Sequence, residues 1–94
     1  MNLVNDFGLL KNMGDKKILI LDYLDQGLSI VSTTATLTFE SGEITTIHAC
    51  LFIDDSADTI ETVNAAGRTL GSTSLAMVTS AQMAANDALI IVFE

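Results

Sequence analysis

The chain reads as a mainly β domain: a β-sandwich or small barrel of six to seven short strands, with a short N-terminal helix or arm. Three observations predict this class. Apolar and polar residues alternate with a period of two over several short runs, the pattern of strands with one wet face. Turn-forming residues punctuate the chain about every 8–12 residues. The 94 residues include no Pro and no Trp, and the apolar bulk is Ala, Leu, Ile and Val, so the core is aliphatic. A single domain spanning 1–94 suits this length, which is enough to bury a core without staples.

Leu3, Phe7 and Leu10 fall on one helical stripe, with Val4 beside it. Gly8 interrupts the pattern, and Gly14 suits a stop after Met13. Residues 1–14 are therefore expected to form a short helix that packs on the sheet or on a neighbour, or else an arm. Lys16 to Leu24 (KKILILDYL) fits a strand buried on both faces or a two-turn helix. Asp25-Gln26-Gly27 is a turn. Leu28 to Phe39 reads as one strand.

The expected centre of the fold is a hairpin over 33–54, TTATLTFESGEITTIHACLFID. Glu40-Ser41-Gly42 supplies the turn, with Gly42 in the left-handed conformation. A three-residue loop places Leu37 and Phe39 on the face of Ile47, Ala49, Leu51 and Ile53. A two-residue loop would reverse the second strand. The three-residue loop gathers the aliphatic residues on one inner side and leaves Ile44, His48, Cys50 and Phe52 on the second face.

Asp54 to Asp58 is an exposed acidic loop. Thr59 to Asn64 reads as an edge strand with Ile60 and Val63 inward. Ala65 to Ser72 is an irregular crossing and Ser74 to Thr79 a strand. Ser80 to Asp87 fits one helical turn or a wide loop. Ala88 to Phe93 (ALIIVF) is unbroken in its apolar character, so it belongs in mid-sheet with cover on both faces.

The formal charge is −8, and Lys11, Lys16, Lys17 and Arg68 are the only Lys or Arg residues. Eight carboxylates and no Lys or Arg lie between Ile18 and Gly67. Such a surface repels phosphate, so nucleic acid is not the expected partner. No apolar run approaches the length of a membrane span, and the first residues lack a basic leader, so neither a membrane nor a secretory signal is expected. The lone Cys50 excludes an intrachain disulfide and fits synthesis in a reducing cytoplasm.

No catalytic group, cofactor site or metal site is expected. His48 is the only histidine, and one His with one Cys is too few for zinc. His48 and Cys50 at i and i+2 could pair a base with a nucleophile, but many strands contain that spacing. Asp54, Ser56 and Asp58 alternate like the start of a calcium loop, yet Thr59 and Ala65 stand where the required Gly and Glu belong. The Gly67–Gly71 stretch lacks the Lys of a phosphate loop.

A resemblance adds to this reading. The chain has a Thr-rich run ending in Phe39 (TATLTF), then SGE at Ser41–Glu43, then IHACLF at Ile47–Phe52. Arg68 follows, and the chain closes with TSAQMAANDALIIVFE over Thr79–Glu94. This pattern resembles small β-sandwich structural modules of tailed-bacteriophage virions, over roughly the last two-thirds of the chain. It lacks the Trp residues and Gly-rich loop that such modules often carry, which leaves head and tail locations both open. The resemblance implies a non-enzymatic virion protein made in the host cytoplasm. A capsid decoration or cement protein is the expected form, a homo-oligomer docked on the major capsid protein or another virion protein. The alternative is a small acidic inhibitor that occupies a basic site on a host or phage protein. Leu3, Phe7, Leu10, Ile44, His48, Cys50 and Phe52 are the expected interface.

Overall fold

The computed structural model describes residues 10–23 and 27–94. Among them are nine strands and one 3-10 turn, arranged in two antiparallel sheets. The strands are β1 (Leu10–Met13), β2 (Lys16–Asp22), β3 (Leu28–Val31), β4 (Thr34–Thr38), β5 (Ile47–Asp54), β6 (Thr59–Thr62), β7 (Arg68–Leu70), β8 (Ser74–Val78) and β9 (Ala88–Phe93). One sheet has the order β1-β2-β9-β5-β6 and the other β3-β4-β8-β7. The chain makes a hairpin in the five-stranded sheet, crosses to make one in the four-stranded sheet, and repeats both moves. Strand β9 then returns to fill the gap between β2 and β5.

The buried faces of both sheets feed one hydrophobic cluster. Leu19 and Leu21 of β2, Cys50 and Phe52 of β5, and Leu89, Ile91 and Phe93 of β9 meet Ala35 and Leu37 of β4 and Leu75 and Met77 of β8. A sulfur contact spans the layers: the Cys50 thiol donates to Met77 Sδ at 3.3 Å. Each large side chain buried here contributes about 1.5–3 kcal/mol before its ordering cost.

The mainly β class holds, with more strands than expected. The extra ones arise where local turn chemistry won. Leu10–Met13 is a strand paired with β2, not the end of a helix. Gly14, at φ 65, opens a two-residue Gly-Asp turn and does not stop a helix. Residues 1–9, including Leu3 and Phe7 of the expected stripe, lie outside the described residues. Lys16–Asp22 resolves as a strand, but its burial alternates, with Ile20 39% exposed, so it is not covered on both faces. The single strand expected over Leu28–Phe39 is two strands, β3 and β4, folded back at Ser32-Thr33 with Ser32 at φ 54. Ser80–Asp87 is a loop without helix, held by buried Met83 and Asp87.

The largest correction concerns the hairpin expected over 33–54. Strands β4 and β5 do not pair. β4 lies between β3 and β8, whereas β5 lies between β9 and β6. Residues 39–46 carry the chain from one sheet to the other. Phe39 N donates to Thr73 O, Phe39 and Ile44 are buried, and the amides of Thr45 and Thr46 both donate to Glu94 O. A turn does form where expected, with Glu43 N donating to Glu40 O and Gly42 at φ 89, but it bends a crossing.

Gly42 gives a direct test of that bend. A Cβ there would meet nothing within 4 Å, so the cost of a substitution is conformational alone. Gly42→Ala is expected to cost about 1–2 kcal/mol, and the β-branched Gly42→Val more. At about 4–8 °C per kcal/mol for a domain of this size, the alanine variant should melt at least several degrees lower. A scanning melt that finds no change would place the turn in another conformation.

Candidate docking surface

The displaced pairing of β5 inverts its faces. Cys50, Phe52 and Asp54 point into the core, and Ala49, Leu51 and Ile53 point away from it. Three members of the expected interface, Ile44, Cys50 and Phe52, are therefore buried within the chain itself. Ile47, expected inside, packs at the margin of the core beside its register partner Phe93. His48 is the extra residue of a β-bulge between Ile47 and Ala49. Its Nε2 sits 3.2 Å from Glu94 Oε2 at the end of the sheet. Leu10 starts the edge strand β1. Sequence pattern and structure agree that Val63 is inward, but Ile60 is outward and 69% exposed.

The residues singled out for chemistry are each occupied by structure. Burial pushes the Cys50 thiol up to about 11, an effect that the Arg68 charge partly opposes. It is a protonated thiol at neutral pH, without His48 as a neighbour on its face. Arg68 Nη1 donates to Val63 O at 2.6 Å. In the acidic loop, Asp54 Oδ1 accepts from Ser56 Oγ at 2.9 Å and from Ala57 N at 3.3 Å. Asp87 accepts from Asp55 N at Oδ1 and from Ala84 N at Oδ2, both at 2.8 Å. These two buried carboxylates brace loops. No cluster of three His, Cys, Asp or Glu able to hold a metal occurs among the described residues.

What stands out is a contrast between the two outer faces. The four-stranded sheet turns Ser29, Thr34, Thr36, Thr38, Thr69 and Ser74 outward, with Val31, Ala76 and Val78 among them. Hydroxyls on a pleated, solvated face are ordinary. The five-stranded sheet presents aliphatic side chains in three cross-strand rows. Ile18, Val92 and Ala49 form the first. Ile20, Ile90, Leu51 and Thr62 form the second. Asp22, Ala88, Ile53 and Ile60 form the third. Most of these are half-buried by their neighbours in the sheet; Ile20, Asp22, Ile60 and Thr62 are exposed. Charge is confined to the margin, at Lys16, Asp22, Glu94 and the Asp55–Asp58 turn.

Strands about 4.8 Å apart and rows about 6.8 Å apart give this patch a footprint of roughly 300–350 Å². A contiguous apolar patch of that order on a small protein marks an interaction site. The signal was present in the sequence. Strands β2, β5 and β9 are apolar at both parities, which a sheet with one bare face does not need. No family model, curated protein or solved structure matches the chain.

Proposed function

We propose that the chain is a non-enzymatic structural protein of a phage virion, a capsid decoration or cement protein that docks on the major capsid protein lattice through the outer face of its five-stranded sheet. The observation that carries this reading is the contrast between the two outer faces, one hydroxyl-rich and one aliphatic. The resemblance to virion modules supplies the setting, and adhesion supplies the mechanism. The two layers are read as a β-sandwich, supported by the shared core and the Cys50–Met77 contact across it. A rigid sandwich holds the patch flat, so little ordering cost falls on docking.

The partner surface should be apolar at its centre and basic around it, to meet the acidic margin of this chain. A patch below the usual ~800 Å² per partner gives a modest single contact. Copies that also touch one another on a lattice would raise the occupancy of each site. Absence of catalysis belongs to the same reading, since the only thiol is buried and protonated and the only histidine is engaged by Glu94.

A second reading, an acidic inhibitor on a basic site, draws on the charge of −8. Mass spectrometry of purified virions separates the two at the first step. The docking reading expects the chain in the particle at a stoichiometry tied to the capsid protein. Its absence from particles whose host extract contains it would contradict that reading.

A further inference from the structure

The apolar patch needs an occupant before any partner arrives, and its size and charge select one. A free-standing pair of folded chains needs about 800 Å² on each side, more than twice this footprint. Two copies would also bring like acidic margins together, each chain carrying −8. A short apolar segment fits better. One lies beside the patch: Met1–Leu9 leads directly into β1, whose first residue, Leu10, pairs with Leu19 of β2 at the edge of this same sheet. The segment carries Leu3, Val4, Phe7 and Leu9 and only one acidic side chain, Asp6. From β1, the far strand β6 is four strand spacings away, about 19 Å. Nine extended residues reach about 30 Å.

We propose that Met1–Leu9 of this chain lie across the outer face of the five-stranded sheet in the free protein, with Phe7 over the row of Ile20, Ile90 and Leu51. The segment then competes with the docking partner for the patch, a consequence that rests on the docking reading. In the free protein it keeps an aliphatic face out of water.

The test is methyl NMR on the full chain without any partner. Cross-peaks from the Phe7 ring to the methyls of Ile90 and Leu51 are expected within one copy. In the Leu3→Asp/Phe7→Asp variant those methyls should shift, while binding of a hydrophobic dye rises several-fold and the cooperative melt persists. Unchanged Ile90 and Leu51 methyls in the variant would overturn the proposal. Cross-peaks seen only between copies, in a mixture of labelled and unlabelled chain, would also overturn it by assigning the patch to a second copy. Because no particle is present, this result is independent of whether the chain docks on a capsid. The docking reading fails separately, if substitutions in the patch leave particle binding intact.

Discussion

Phe52→Ala is expected to lower the stability of the fold by about 3–5 kcal/mol, the range for emptying a buried aromatic site. Phe52 is fully buried on β5, between register partners Leu89 of β9 and Glu61 of β6. Domains of this kind hold only about 5–15 kcal/mol in total, so the variant would lose a large share of it. At about 4–8 °C per kcal/mol, its melting temperature should fall by 12 °C or more. Leu51→Ala, one residue away on the opposite face, should cost far less, because its side chain leaves no enclosed cavity. The pair of melts reads the register of β5 directly. Had β4 and β5 formed a hairpin with the aliphatic set inside, the order would reverse: Leu51→Ala would be costly and Phe52→Ala mild.

The double variant Leu51→Thr/Ile90→Thr is expected to remove docking while leaving the fold in place. These two residues are register partners at the centre of the patch. Threonine keeps β propensity and gives this face the hydroxyl character already found on the other sheet. Each large apolar side chain lost from a buried contact removes about 1.5–3 kcal/mol, so each change should weaken binding about tenfold or more. Val78→Thr, on the exposed face of the four-stranded sheet, is the matched control and should bind as the parent does. Particle co-sedimentation across a concentration series measures all three. Equal binding by the double variant and the control would remove the patch from the docking account.

Much of the fold was legible in the sequence, and its gaps have physical reasons. Ala88–Phe93 was expected in mid-sheet and is the central strand of the larger sheet, because an unbroken apolar run has few other places to go. The edge position of Thr59–Thr62, the strand at Ser74–Val78 and the positive φ of Gly42 were legible for similarly local reasons. The partner of β5 was not. A turn signal at Glu40–Gly42 says that the chain bends, but not which sheet the next strand joins. Parity could not settle it either, since β5 is apolar on both faces. Counting aliphatic residues chose Ile47, Ala49, Leu51 and Ile53 as the inner set, whereas the core took Phe52 and Cys50. The break between β3 and β4 rests on Ser32 in a left-handed conformation, where no Gly or Asn announced a turn. The docking patch inherits the same ambiguity. Its residues were visible as apolar, and only the pairing of β2, β9 and β5 shows that they share one outward face.

The central claim is that docking is driven by the aliphatic centre of this patch, not by the acidic margin around it. The salt dependence of particle binding tests it most directly. Contacts between exposed charges are largely screened as the Debye length shrinks from about 10 Å at 0.1 M toward 3 Å at 1 M salt, whereas apolar burial is not weakened. A titration of purified particles at 0.1 M and again at 0.5 M salt is expected to give dissociation constants within about threefold of each other. A loss of tenfold or more over that interval would contradict the claim and place the binding energy in the carboxylates.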